Sequence, residues 1–156
     1  MTNLIENIKN KGYKLPEPTL PIANYSPFVF SRNLIFISGQ VPIENNNIKF
    51  IGKLGKDLDI QEGKEAAELC ILNTFSILNL ALEGNLNLVH QCLRLTVYIN
   101  CVDTFYEQPT VADGASNLIR EIFANNGEHT RVAVGANSLP KNSAVEIDSV
   151  FELTVE

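Results

Sequence analysis

Two charged residues in the last third of the chain, Arg131 and Glu146, could together bind a small organic acid. Arginine carries a planar guanidinium whose N–H donors match the two oxygens of a carboxylate. Each residue also has an ordinary interpretation. Arg131 opens a strand with no carboxylate obviously beside it, so it can be a solvated charge, and Glu146 on the polar face of a strand can be a solvated sheet residue. The residue types leave both interpretations open.

The separation of these two residues depends on how the last two strands pair. Their apolar periodicity predicts strands over residues 131–137 and 144–155. If these strands form a tight hairpin around residues 140–141, Glu146 lies about four residues, or ~13 Å, from Arg131 along the sheet. That distance is long for two groups that hold one small substrate. We therefore expect that, if they act together, one of them comes from a neighbouring subunit.

Three further residues could line a ligand site, although each has an ordinary interpretation as well. Ser38 and Gly39 end a strand, and glycine lets backbone N–H groups approach a ligand closely. The same glycine also fits a β-bulge or a turn. Tyr25 follows a proline-rich segment, where a tyrosine is normally a packing residue with a hydrated hydroxyl. None of these signals is specific by itself.

The elements that must position these residues follow the order helix, three strands, helix, strand, helix and two strands. Residues 1–12 predict an amphipathic first helix, and three prolines within residues 14–21 predict an extended connector. A long helix should begin after an N-cap at Asp59 and end near Glu83, before Gly84. The other predicted elements are strands over residues 28–30, 34–38, 48–51 and 92–99, and a helix over residues 110–124.

This order predicts one α+β domain over residues 1–156, in which residues 1–23 form the first helix and the connector. Strand–helix–strand runs imply crossover connections that place both long helices on one face of the sheet. One sheet with two helices cannot cover its own opposite face. Self-association is the simplest way to cover it.

Composition and charge exclude several classes of function. The 156 residues are 45% hydrophobic and 19% charged, and the net charge is −6. An acidic surface disfavours a broad nucleic-acid groove. No run of 18 apolar residues predicts a membrane span. Residues 1–12 are too charged for the core of a signal peptide, so the cytoplasm is the expected location.

The cysteines and histidines predict no metal site. Cys70, Cys92 and Cys101 are widely spaced and odd in number, which is typical of buried thiols in a reducing compartment. His90 and His129 are too few for a zinc or iron constellation. We therefore expect chemistry that requires no metal.

Several separated motifs, in order, resemble the Rid family, formerly called YjgF-like or L-PSP endoribonuclease-like proteins. The most specific are NLIFISGQVP at residues 33–42, TRVAVGANSLP at 130–140 and SAVEIDSVFEL at 143–153. Other stretches are similar to a longer subgroup of that family: LPEPTLPIANYSP at 15–27, EGKEAAELCILNTFSIL at 62–78, QPTVADGAS at 108–116 and GEHTRVAVG at 127–135.

The resemblance implies a chorismate-mutase-like α+β fold with a mixed sheet, two long helices on one face, and assembly as a homotrimer. Ligand clefts in such trimers lie between subunits. The carboxylate-binding arginine of the family falls on Arg131 and its water-activating glutamate on Glu146. Its cleft serine, glycine and tyrosine fall on Ser38, Gly39 and Tyr25. The implied reaction is the hydrolysis of 2-imino or enamine acids to 2-oxo acids and ammonia, without a metal or cofactor.

The chain departs from the family pattern at three places near the predicted site. The family cysteine two residues after the arginine is Ala133, and the family asparagine has no secure counterpart near Asp113 and Gly114. His129 could line the cleft or cap the preceding loop. Because of these departures, the resemblance predicts only the class of ligand, which is a small carboxylate-bearing imine or a 2-oxo acid.

Two other functions are compatible with the resemblance. One is a non-catalytic trimer that binds small carboxylic acids or a protein partner. The other is the endoribonuclease or translation inhibitor of the older family names. The acidic balance of the chain and the lack of paired histidines disfavour the second.

Overall fold

The computed structural model describes residues 3–155, so the first two residues of the predicted first helix and Glu156 lie outside the described residues. Within that range the chain forms three α-helices and seven β-strands. The helices are α1 (Leu4–Asn10), α2 (Ile60–Ala81) and α3 (Gln108–Phe123). The strands are β1 (Phe28–Ser31), β2 (Leu34–Gln40), β3 (Ile43–Glu44), β4 (Asn47–Ile48), β5 (Val89–Asn100), β6 (Thr130–Ala136) and β7 (Val145–Leu153).

Five strands form one mixed sheet in the order β1-β2-β7-β5-β6. The pair β5–β6 is parallel, and the other pairs are antiparallel. The tight hairpin that was supposed between the last two strands does not form, because β5 lies between β6 and β7. Residues 137–144 connect β6 to β7 and include a short 3-10 helix at Pro140–Asn142, which makes this connection longer than the two to five residues of a typical hairpin loop.

The strand expected over residues 48–51 is also wrong in extent. The chain instead forms a small separate hairpin between β3 and β4. Asn45 and Asn46 form its turn with φ values of 51° and 62°, which is the left-handed conformation that a two-residue hairpin requires and asparagine tolerates. Beyond β4 the chain turns at Phe50, where φ is 57°. Ile51 then makes only an isolated bridge to Ser143.

Helix α2 begins where the sequence predicts, and α3 begins at Gln108, two residues before its predicted start. The Asp59 side chain accepts a hydrogen bond from the Glu62 amide, and the Glu62 side chain accepts one from the Asp59 amide, so a complete capping box starts α2. The middle of α2 is buried on nearly all sides, because the proline-rich connector covers its outer surface. Ser76, for example, donates a hydrogen bond to the Pro16 carbonyl at 2.7 Å.

Both long helices pack on the same face of the sheet, as expected, with α2 against β2 and β7 and α3 against β5 and β6. Buried and half-buried residues alternate along β7, which separates a core side from an open side. Apolar side chains remain exposed on that open side, among them Val29, Phe36, Val132 and Val134. This single chain therefore leaves one face of its sheet uncovered.

The three cysteines are free and buried, as predicted. Burial raises the pKa of the Cys92 thiol to about 12 and also raises the pKa of Cys70, so both thiols stay protonated at neutral pH. Among residues 3–155, no group of histidine, cysteine and acidic side chains is arranged to hold a metal ion. The helices in this range are too short or too polar to cross a membrane.

Candidate functional site

Arg131 lies near the start of the edge strand β6, with its side chain 23% exposed. Its guanidinium is held by three acceptors from α3. Nη1 donates to Asp113 Oδ1 at 2.8 Å and to Ser116 Oγ at 3.0 Å, and Nη2 donates to the Pro109 carbonyl at 3.0 Å. No carboxylate is obviously adjacent to Arg131 in the sequence, but in the fold Asp113 forms an ion pair with it.

Helix α3 can present these acceptors because it packs directly over β5 and β6. Asp113 and Ser116 are three residues apart, so they lie on the same side of the helix. Gly114 between them permits a close approach to α2, since a Cβ at this position would lie 2.1 Å from the Lys64 carbonyl oxygen. The tight packing of the two helices thus supports the position of Asp113 and Ser116.

His129 extends the same hydrogen-bond network. Its Nδ1 lies 2.9 Å from the Gly127 carbonyl, and its Nε2 lies 2.8 Å from Ser116 Oγ. A carbonyl can only accept, so Nδ1 carries a proton, and in the neutral ring Nε2 accepts from the Ser116 hydroxyl. His129 thus caps the preceding loop and also supports, through Ser116, the guanidinium of Arg131.

Glu146 lies on the open side of β7 and is half-buried. Its carboxylate packs directly against the backbone of Gly39, since a Cβ on that glycine would lie 2.3 Å from Glu146 Oε1. Burial, followed by the nearby charge of Asp148, raises the pKa of Glu146. A carboxylate with a raised pKa is a stronger base than an ordinary one.

Tyr25, Ser38 and Gly39 line a single cavity of about 240 Å³. The connector forms one wall of this cavity with Thr19, Leu20, Pro21, Ile22 and Ala23. Ser38 donates its hydroxyl proton to the Ser26 carbonyl at 2.7 Å, which leaves the oxygen lone pairs as acceptors. Lys141, from the connection between β6 and β7, also lines the cavity. Glu146 adjoins the cavity through its contact with Gly39.

Ala133 lies two residues after Arg131 on the same side of β6. It is level with Val97 of β5 and packs, partly buried, against the core. Its methyl group offers no hydrogen bond. Any role of position 133 in a ligand site of this chain is therefore limited to shape.

The predicted site residues thus form two separate groups within one chain. We call Arg131, Asp113, Ser116 and His129 the arginine cluster, and Glu146, Gly39, Ser38 and Tyr25 the glutamate cluster. In the register of the sheet, Arg131 pairs with Leu95 of β5, whereas Glu146 pairs with Tyr98 of β5. The two residues are therefore three positions apart along the strand and two strands apart across the sheet, which corresponds to roughly 14 Å.

They also lie on opposite sides of the sheet. Arg131 points to α3, whereas Glu146 alternates with the buried core residues Val145 and Ile147. The two residues are far apart in one chain, as expected, but the hairpin from which their separation was estimated does not form. Within the described chain, the two side chains cannot contact one small molecule together.

Asp113 and Ser116 are the members of the arginine cluster that the sequence did not identify. The signal available was their spacing of three at the edge of the apolar face of α3, where Ser116 is buried and Asp113 is half-exposed. That signal became informative only with the knowledge that β6 is the strand beneath this part of α3.

Residues 6–153 match the family model described as "YjgF/chorismate_mutase-like, putative endoribonuclease". This chain belongs to the YjgF family. The match spans nearly all of the described residues and confirms the resemblance seen in the motifs. The α+β architecture with a mixed sheet is the fold of that family.

Three individual proteins are similar to this YjgF family member over most of their length. Protein TCP17 of Trypanosoma cruzi is 39% identical over 148 residues, which cover 94% of this chain and 92% of that protein. The protein Atu1372 of Agrobacterium tumefaciens, described as of unknown function, is 39% identical with a TM-score of 0.90, covering 97% of this chain and 92% of its own. A protein described as a putative endoribonuclease from Shewanella oneidensis is 31% identical with a TM-score of 0.92, covering 96% and 99%.

Proposed function

We propose that this YjgF family member hydrolyses small 2-imino or enamine acids to 2-oxo acids and ammonia, in clefts between the subunits of a homotrimer. In each cleft, the arginine cluster of one subunit would face the glutamate cluster of its neighbour. The observation that carries the proposal is the pair of complementary half-sites on opposite sides of one chain. One half-site holds an oriented guanidinium, and the other holds a half-buried carboxylate of raised pKa beside a cavity.

The chemistry of the two half-sites matches the reaction. The guanidinium of Arg131 would bind the substrate carboxylate through two parallel hydrogen bonds. Glu146 would take a proton from a water molecule, whose oxygen then bonds to the imine carbon. That proton passes to the nitrogen and gives a carbinolamine. Glu146 would then take the proton of its hydroxyl group and pass it to the same nitrogen, so that the carbon–nitrogen bond breaks, the carbon–oxygen double bond forms and ammonia leaves. One imine and one water thus yield one 2-oxo acid and one ammonia.

The open face of the sheet supports the trimer. It carries exposed apolar side chains on strands at both ends of the sheet, including Val29 of β1 and Val134 of β6. Burial of these side chains in an interface removes apolar surface from water. The same assembly would bring together the two clusters that one chain keeps apart.

A coupled assay tests the proposed activity. A serine or threonine dehydratase generates the unstable enamine in situ, and 2-oxo acid release is followed with and without the purified chain. We expect the wild type to accelerate release. Arg131→Ala should abolish the acceleration while circular dichroism and oligomeric mass remain unchanged. Failure of the wild type to accelerate release from imines of several amino acids would contradict the proposal.

A second candidate function is the binding of small carboxylic acids without turnover. The observation that favours it is the ion pair between Asp113 and Arg131, which offsets part of the charge available to a substrate. Calorimetric binding of 2-oxobutyrate, together with no acceleration in the coupled assay, would support this function. Loss of that binding in Arg131→Ala would place the acid at the same residue.

A further inference from the structure

The hydrogen bonds of Arg131 leave part of its guanidinium available. A guanidinium has five N–H donors. Asp113, Ser116 and Pro109 accept three hydrogen bonds from it among the described residues. The two remaining donors suffice for one bidentate carboxylate. The acceptors all belong to one helix, so they restrict the direction in which the free donors point.

The charge at this position is also nearly balanced before any ligand arrives. Asp113 lies 2.8 Å from Nη1, and its side chain is 47% exposed. A monoanionic ligand on Arg131 adds one negative charge next to the Asp113 carboxylate. A dianionic ligand adds a second negative charge. Asp113 repels this second charge, and the arginine cluster contains no further cation to offset the repulsion.

The Ser116 hydroxyl connects this pair to the loop that precedes β6. It accepts from Arg131 Nη1 and lies between that group and His129, whose other ring nitrogen bonds to Gly127. Ser116 is buried, so it does not reach solvent or a ligand. Its hydroxyl connects the guanidinium to His129.

We propose that Asp113 makes the Arg131 site selective for monocarboxylates over dianions, and that Ser116 and His129 are positioning residues for the guanidinium. This inference rests on the proposed function only in taking Arg131 as the residue that binds the ligand carboxylate. It does not depend on turnover. It narrows the ligand class to acids with a single negative charge.

A matched pair of ligands tests the selectivity by equilibrium binding to the full chain. The five-carbon acids 2-oxopentanoate and 2-oxoglutarate differ in the distal carboxylate that makes the second a dianion. We expect the wild type to prefer 2-oxopentanoate. Asp113→Asn keeps an oxygen that can accept from Nη1 but removes the charge, so the preference should fall by about fivefold, the size expected for a partly exposed ion pair.

Glu128→Gln is the matched control for this experiment. It makes the same change of charge one residue before His129, at an exposed side chain that forms no ion pair within residues 3–155. It should leave the preference unchanged. Equal wild-type affinity for the two acids, or an unchanged preference in a folded Asp113→Asn variant, would overturn the selectivity and leave the proposed function standing.

The positioning role has a different signature. Ser116→Ala should weaken the binding of both acids by a similar factor and leave their ratio unchanged, and Ser116→Thr, which keeps the hydroxyl, should restore it. Unchanged affinities in Ser116→Ala would overturn this role. If the wild type binds neither acid, or if Arg131→Ala binds them as tightly as the wild type does, the proposed function fails together with the inference.

Discussion

At the residue scale, the contact between Gly39 and Glu146 connects the backbone of β2 to a proposed catalytic group. The φ angle of Gly39 is not in the left-handed region, so backbone freedom does not explain the glycine. Close approach does, because the Glu146 carboxylate occupies the space that a Cβ would need. The glycine therefore determines where the carboxylate lies.

Gly39→Ala should consequently reduce activity more than stability. The new Cβ would lie 2.3 Å from Glu146 Oε1, and the flexible carboxylate can rotate away from it. We expect a loss of stability of about 1 kcal/mol or less, measured by urea unfolding, together with a large loss of imine hydrolysis.

A double-mutant cycle with Glu146→Gln provides the control. Adding Gly39→Ala to Glu146→Gln should cause little further loss of activity if the glycine acts through the carboxylate. Additive losses from the two substitutions would contradict this interpretation.

At the element scale, the contact between α2 and α3 determines the geometry of the arginine cluster. The helices approach so closely at Gly114 that a Cβ there would meet backbone atoms of Lys64, which cannot rotate away. Asp113 and Ser116 flank this point on α3. A shift of α3 away from α2 would therefore move two of the acceptors of Arg131.

Gly114→Ala should separate the two helices and weaken both the fold and the site. We expect destabilisation of about 1–3 kcal/mol from overpacking, measured by urea unfolding, and weaker binding of 2-oxopentanoate. Asn117→Ala, at an exposed position of the same helix, is the control and should change stability by less than about 0.5 kcal/mol. A Gly114→Ala variant as stable as the control would show that the helices tolerate the added methyl group.

The outer surfaces of the same two helices carry an acidic pair that makes stability depend on pH. Burial, followed by the charge of Glu121, raises the pKa of Glu68 on α2 above its ordinary value of 4.5. The folded state therefore binds the Glu68 proton more tightly than the unfolded state does. This contribution to stability is present below pH 4.5 and is lost as the pH rises through the raised value.

Glu68→Gln removes that loss. We measure the free energy of unfolding in urea for the variant and the wild type at pH 4 and pH 7. The difference, variant minus wild type, should be more positive at pH 7 than at pH 4. Glu83→Gln, at an exposed position just after α2 that does not contribute to the pKa of Glu68, serves as the comparison. A difference between Glu68→Gln and wild type that does not change with pH would contradict the assignment.

At the scale of the whole molecule, the open face of the sheet connects assembly to function. Val132 and Val134 alternate with Arg131 and Ala133 along β6, so the strand presents apolar groups on one side and the arginine cluster on the other. An interface that covers the apolar side need not obstruct the other side. The edge position of β6 allows one strand to serve both purposes.

Val134→Glu should disrupt the proposed trimer. A carboxylate in an apolar interface carries a large desolvation penalty, so native mass spectrometry should show the wild type as a trimer and the variant shifted toward the monomer. Imine hydrolysis should fall with the trimer population, while circular dichroism stays native.

Leu80→Glu, at an exposed apolar position near the end of α2, is the control and should leave the trimer intact. An active wild-type monomer, or a Val134→Glu variant that remains an active trimer, would contradict the link between assembly and activity.

Local patterns in the sequence were sufficient to predict the helices, most of the strands and the family. The Asp59 cap, the apolar periodicity of α2 and α3, and the alternation along β7 depend on residues a few positions apart, and their outcome is nearly independent of the rest of the chain. Arg131 and Glu146 were candidates because of their residue types and of the motifs around them.

Only the tertiary structure decided which of these residues are neighbours. The insertion of β5 between β6 and β7 sets the separation of Arg131 from Glu146, and the docking of α3 on β6 gives Arg131 its partner Asp113, 18 positions away in the sequence. Strand order and helix docking depend on the burial of the whole core, to which residues distant in sequence contribute together. No local pattern encodes such a contact, so the arginine cluster became visible only in the folded chain.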